Sequence, residues 1–155
     1  MELHIRQAGP SDAEALTEIA HAAKRHWRYP EEWIVLWREA LTFTPDFIAQ
    51  HPVYIAYEGG NRAGCYALSF EGSIAILEHL WVRPEWIGRG VGRHLFAHAT
   101  GIAATYGATE VRIDSDPNAE AFYRRMGAQR IGEVPASIEG IPRVLPRLAL
   151  VLSPA

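Results

Sequence analysis

Three glycines in five residues, Gly88-Arg89-Gly90-Val91-Gly92, stand between an apolar strand-like run, Ile74 to Val82, and an amphipathic helix-like run, Val91 to Tyr106. A helix start leaves backbone N–H groups without intrahelical acceptors, and the partial positive charge gathered there favours an anion. Glycine lets a diphosphate approach those amides closely and accepts the positive φ that a tight turn can demand. The same glycines also suit a plain tight turn. Phosphate binding is the first chemistry the chain suggests.

Spacing separates the known ways of building such a loop. A Walker loop requires Lys followed by Ser or Thr after its second glycine, whereas Gly92 is followed by Arg93 and His94. A dinucleotide-binding turn requires GxGxxG directly after a strand, with an acidic residue about 20 positions later. Asp114 stands at a suitable distance, but Arg93 or Leu95 occupies the third glycine position, and Arg83 to Ile87 separate strand from turn. A nucleotide oxidoreductase therefore ranks lower and stays open.

The stretch Leu80-Trp81-Val82-Arg83-Pro84-Glu85-Trp86-Ile87-Gly88-Arg89-Gly90-Val91-Gly92-Arg93-His94-Leu95 resembles the acyl-CoA-binding segment of the GCN5-related N-acetyltransferase (GNAT) superfamily. A second block, Asp116-Pro117-Asn118-Ala119-Glu120-Ala121-Phe122-Tyr123-Arg124-Arg125-Met126-Gly127-Ala128, is similar to a later segment of that family, with Asn, Phe-Tyr and Gly in the usual order. The resemblance implies an α/β (α+β) fold in one domain, a mixed and mostly antiparallel sheet of about seven strands flanked by about four helices and splayed at the acyl-CoA site. It implies acetyl-CoA as cosubstrate, lying against Leu80, Trp81 and Val82, cradled by the loop Ile87, Gly88, Arg89, Gly90, Val91, Gly92 and Arg93, and reaching Asn118 and Phe122. Ile87 departs from the family pattern, which places Arg or Gln there. Main-chain amides do most of the work in such a loop, so binding is expected to survive, with Arg89 or Arg93 supplying side-chain charge.

Acyl transfer from a thioester to an amine requires a neutral amine and a proton for the departing thiolate. Alkylammonium groups titrate near ~10, so a base must act. Glu78 is the first candidate: on an extended strand it shares a face with Ile76, Leu80 and Val82, and a carboxylate among apolar neighbours gains basicity. The family often carries a carboxylate on this strand. His79 is the rival, on the opposite face unless a bulge resets the alternation, and a water relay is the third choice. Tyr123 resembles the family's general acid, with Phe122, about 100° round a helix from it, turned to the core.

Acceptor recognition is expected in the first half of the chain. His26, Trp27, Tyr29 and Glu32, together with His79, are the candidates for an amine carrying an apolar or aromatic body; a bland surface turn explains the first four equally well.

Composition narrows the classes. The 155 residues suit one domain, 1–155, and 48% hydrophobic with 21% charged residues are globular values. No run approaches the ~18 apolar residues of a membrane span, and the start lacks the pattern of a secretory signal, so a cytoplasmic protein is expected. With 15 basic against 18 acidic residues the chain has no broad attraction for nucleic acid. Cys65 is the only cysteine, which excludes an internal disulfide and a multi-cysteine zinc site, and no metal is expected. Its place in an apolar strand marks it as a buried small hydrophobe. A small-molecule or peptide amine is the expected partner, and a homodimer is possible. The chemistry points to an N-acetyltransferase acting by direct attack; a non-catalytic acyl-CoA sensor is the alternative.

The elements that must position these residues follow from periodicity. Leu3 to Arg6 reads as a strand, and Gly9-Pro10-Ser11-Asp12 as the entry to a helix with Ala15, Leu16, Ile19, Ala20 and Ala23 inward. Trp33, Leu36, Trp37 and Leu41 have helical spacing, which predicts a helix through about Leu41 with most of those rings in the core. Pro45 to Gln50 adds a helical turn. Val53 to Tyr57, Arg62 to Phe70 and Ser73 to Val82 read as antiparallel strands, and the helix after Gly90 is expected to bury Val91, Leu95, Ala99, Ile102, Ala103 and Tyr106. A strand at Thr109 to Ile113, a helix from Pro117 to Met126 and strands at Gln129 to Val134 and Val144 to Leu152 complete the chain. Ala136 to Pro146 reads as the longest late loop, well suited to border a site.

Overall fold

The computed structural model describes residues 2–152. Strand β1 (Leu3–Gln7) leads through a 3-10 turn, Pro10–Asp12, into helix α1 (Ala13–His26). The Gly9 N–H donates to Asp12 Oδ2 at 2.9 Å, so the acidic residue of the turn closes it from within. Helix α1 buries Leu16, Ile19, Ala20 and Ala23, the stripe its spacing predicts. Leu16 and Ile19 are fully buried, and side chains of this size each contribute about 1.5–3 kcal/mol when removed from water.

Short helices α2 (Glu31–Leu36) and α3 (Pro45–Gln50) follow, the second capped by Thr44, whose Oγ1 accepts the Phe47 N–H at 3.1 Å. Strands β2 (Val53–Glu58), β3 (Asn61–Glu71) and β4 (Ile74–Val82) come next, then a 3-10 turn at Pro84–Trp86 and helix α4 (Val91–Thr105). The chain closes with β5 (Glu110–Asp114), a 3-10 turn at Pro117–Ala119, α5 (Glu120–Arg125), β6 (Gln129–Pro135) and β7 (Val144–Val151).

The seven strands are ordered β1-β2-β3-β4-β5-β7-β6. The β4–β5 pair is parallel, and β1–β2, β2–β3, β5–β7 and β6–β7 are antiparallel. The mixed sheet agrees with the expected fold class. The β4–β5 ladder joins Ile74 to Glu110, Ala75 to Val111 and Ile76 to Arg112, whereas β4 itself continues to Val82.

Contacts divide the chain into two compact units. One comprises the chain up to Leu68 together with His79–Ala99; the other comprises Ser69–Glu78 and the chain from Thr100 onward. In the first, Leu16, Ile19, Leu41, Phe43, Ile48, Val53, Ile55 and Cys65 form a buried cluster, with Trp37, Phe47 and Trp81 packed against it. Cys65 is fully buried there, as its setting predicts, and burial pushes its thiol well above the usual range. In the second, Val111, Ile113, Ile138 and Leu148 are buried.

Two packing expectations are corrected. Helix α2 ends at Leu36, which is 54% exposed, while Ile34 is buried in its place. Trp33 and Trp37 are half-buried and pair with each other and with Tyr29. Tyr106, expected in the core, lies beyond the last turn of α4 at 60% exposure and stacks on Phe70 at 4.9 Å. The late loop expected from Ala136 is present between β6 and β7, ending where β7 starts at Val144; within it the Ala136 N–H donates to Arg143 C=O at 2.8 Å, and Ile138 and Ile141 bridge a turn with Glu139 and Gly140 at positive φ.

Candidate functional site

The glycine loop lies in the first unit. Gly88 and Gly90 both have φ of +82°, a left-handed conformation costly for any residue with a Cβ. A Cβ on Gly88 would meet nothing within 4 Å, so backbone conformation, and access to the chain, is what glycine provides. Helix α4 starts directly after Gly90. The His94 N–H donates to Gly90 C=O at 3.1 Å, so the amides of Val91, Gly92 and Arg93 precede the first intrahelical bond. Arg89 turns its own amide back to Trp86 C=O at 3.4 Å. Arg89 and Arg93 are exposed, and neither pairs with a carboxylate among the described residues. Ile87 is 45% exposed in extended backbone.

Two residues beside this loop went unread in the sequence. His94 donates from Nδ1 to Gly90 C=O at 2.8 Å, the carbonyl that also accepts its backbone N–H, and this sets its tautomer. Histidine four residues after a loop glycine was the available signal. The Trp86 indole N–H is buried and has no acceptor.

Gly64 explains how β4 and α4 approach so closely. A Cβ there would stand 2.5 Å from Trp81 C=O, 3.0 Å from Leu95 Cδ1 and 3.3 Å from Val91 Cγ1. The strand reading passed over this glycine, because a close approach from elsewhere in the chain leaves no local trace.

Leu80, Trp81 and Val82 are half-buried at the end of β4, and the Arg83 N–H after them donates to Ala63 C=O at 2.9 Å. Trp81 donates its indole N–H to His79 Nδ1 at 2.9 Å. The His79 ring packs on Phe43 at 4.3 Å and near Phe47 at 5.9 Å. Burial lowers its pKa to about 4, so at neutral pH it is an uncharged imidazole with the proton on Nε2.

Among the residues expected to recognise the acceptor, His26 and Trp27 meet edge to face at 5.2 Å, Trp27 is 42% exposed and Glu32 is exposed. Tyr29 belongs instead to the ring group with Trp33 and Trp37. The structure thus splits the four candidates into an exposed set and a half-buried aromatic one.

The second unit carries the remaining candidates. Glu78 is exposed and accepts the Ser69 hydroxyl proton at 2.9 Å, so the apolar surroundings expected from strand alternation are absent. The Asn118 amide N–H and its side-chain Nδ2 both donate to Asp116 Oδ1, at 2.9 and 3.0 Å, which folds the turn before α5. Phe122 and Tyr123 meet edge to face at 5.1 Å. The expected division between them is reversed in burial: Tyr123 is 6% exposed and Phe122 is half-buried. Burial, assisted by the Asp116 carboxylate, pushes the Tyr123 hydroxyl well above its usual range, so it keeps its proton at physiological pH.

Among the described residues no group of three His, Cys, Asp or Glu side chains is gathered for a metal ion, and no helix is long and apolar enough to cross a membrane.

A strand, a positive-φ glycine loop and a helix start, on a seven-stranded mixed sheet with a parallel β4–β5 pair, define an acyltransferase class of fold. Residues 13–128 match the model of the acetyltransferase (GNAT) family, and the chain belongs to that family. No curated protein matches it in sequence. Solved structures share the fold. A GCN5-related N-acetyltransferase from Rhodopseudomonas palustris superposes with a TM-score of 0.80 at 23% identity, covering 98% of this chain and 97% of that one. The PaiA N-acetyltransferase from Thermoplasma acidophilum, in complex with coenzyme A, gives 0.77 at 21% identity over 97% and 99%. YncA from Salmonella typhimurium, with its cofactor acetyl-CoA, gives 0.72 at 22% identity over 100% and 96%.

Proposed function

We propose that this protein transfers the acetyl group of acetyl-CoA to a primary amine of a small molecule or peptide, with both bound together and no acyl-enzyme. The observation that carries this is the loop at Gly88–Gly90: left-handed glycines directly before the unbonded amides of Val91, Gly92 and Arg93, with the side chains of Arg89 and Arg93 beside them. Donors so arranged suit a diphosphate. The buried Cys65 thiol, raised well above its usual range, suits no covalent route.

Acetyl-CoA supplies the activated thioester. The amine nitrogen bonds to the carbonyl carbon, the carbon–sulfur bond breaks, the amine's proton leaves to a base and the thiolate takes one from an acid. Tyr123, protonated at working pH, is the acid. The base is Glu78, directly or through water; its exposure keeps it in contact with solvent. The low pKa of His79, about 4, makes it a weak base, and its Nδ1 lone pair is already engaged by the Trp81 N–H, which together support giving it no proton-accepting part.

Calorimetric titration tests the reading: acetyl-CoA and CoA should bind and NADH should not. Thiol release with a panel of amines should follow. NADH binding without CoA binding overturns the assignment, and CoA binding with no thiol release from any amine makes the protein a sensor.

A further inference from the structure

Lys24 is the only lysine in the sequence. Its ammonium lies 4.3 Å from the ring centre of Trp37 and 5.0 Å from that of Tyr29. Tyr29 stacks on Trp33 at 6.0 Å and meets Trp37 edge-on at 5.0 Å, and Trp33 meets Trp37 edge-on at 5.9 Å. Two rings, those of Tyr29 and Trp37, thus border one primary ammonium, and Trp33 packs against both. The backbone is bent to allow it: Arg28 has a φ of +60°, and this left-handed residue turns the chain between α1 and α2 so that Tyr29 comes back over the last turn of α1. Lys24 and all three rings are half-buried, so the cation is partly stripped of water without being sealed in. Partial desolvation of this kind strengthens attraction between a cation and ring faces.

We propose that Tyr29, Trp33 and Trp37 form a recognition box for a primary alkylammonium group of the acceptor, occupied in the free chain by Lys24, which the acceptor displaces. The occupant follows from what is seated there, since the end of a lysine side chain is itself a primary alkylammonium. A nitrogen held on ring faces is stabilised in its charged form and cannot be the one that attacks, because attack requires a neutral amine. The box therefore selects acceptors with two amino groups, one held as the cation and the other acetylated. This rests on the reading of residues 26–32 as the acceptor side of a transferase.

A single lysine makes the displacement visible. Protein carrying 13C-labelled lysine should give one side-chain Cε–Hε signal, displaced upfield by the ring currents of Trp37 and Tyr29. Titration with 1,4-diaminobutane at constant ionic strength should return that signal, saturably, to the position of a solvated lysine. Lys24→Met, which removes the internal competitor, should bind the diamine about threefold tighter or better, and Trp37→Leu about tenfold more weakly. An unmoved signal at high diamine, or Lys24→Met binding no tighter than the unaltered chain, overturns the proposal. Displacement by the diamine with no thiol release from acetyl-CoA for any amine of the panel would leave the box standing and remove the transferase reading; thiol release with an unmoved Lys24 signal would do the reverse.

Discussion

The Trp81 indole N–H donates to His79 Nδ1 at 2.9 Å, and this bond ties the imidazole to the uncharged Nε2–H form. Its pKa of about 4 lies below the 6.5 of a free histidine. Between those values the unfolded chain binds a proton that the native state refuses, so the stability this site provides is complete above about pH 6.5 and is lost as the pH falls through 4. The loss is on the order of 3 kcal/mol. Urea unfolding at pH 7 and pH 4.5 should show it, and His79→Phe should shrink the difference between the two; an unchanged difference would contradict the buried neutral state.

Glu78 is accessible and bonded to Ser69, which makes its role separable from folding. Glu78→Gln should leave the unfolding midpoint nearly unchanged, lower kcat/KM and abolish the acidic limb of its pH profile. A profile identical to that of the unaltered chain would remove Glu78 as the base.

Tyr123 holds its proton through burial and the nearby Asp116 charge. Tyr123→Phe keeps the ring and removes the hydroxyl. Turnover should fall about tenfold or more while acetyl-CoA affinity by calorimetry stays nearly constant. A parallel loss of affinity and turnover would point to packing instead.

At Gly90 a side chain must adopt a φ of +82° with its Cβ 3.5 Å from the Arg93 guanidinium. Gly90→Val should weaken CoA binding about tenfold or more, and left-handed strain of about 1–2 kcal/mol should appear in denaturant unfolding. Unchanged CoA affinity would contradict the phosphate-loop assignment.

Gly64 sets a stricter limit. The Cβ of Gly64→Ala would stand 2.5 Å from a backbone carbonyl, which cannot rotate aside. Overpacking of this kind costs about 1–3 kcal/mol and shifts β4 against α4. The urea midpoint should fall, and acetyl-CoA affinity should fall with it if the end of β4 carries the cofactor.

Where the sequence misled, each error has one cause: periodicity reports which residues share a face, and says nothing of what covers that face. Leu36 and Ile34 both lie on a helix whose apolar positions exceed what its neighbours bury, and packing chose Ile34. Tyr106 continues the stripe of Ala99 and Ala103, but Gly107 ends the helix there and the ring turns to Phe70 at the surface. Glu78 obeys strand alternation, yet its face is open to solvent.

Element order, the left-handed glycine loop before a helix and the family were all decided by local sequence, because short-range sterics, hydrogen-bond geometry and spacing act between neighbours in the chain. The protonation states of His79 and Tyr123, the demand for glycine at position 64 and the seating of Lys24 over the rings of Tyr29 and Trp37 were decided only by tertiary structure. Each depends on desolvation or contact with residues far away in the chain, and desolvation and contact are properties of the packed molecule.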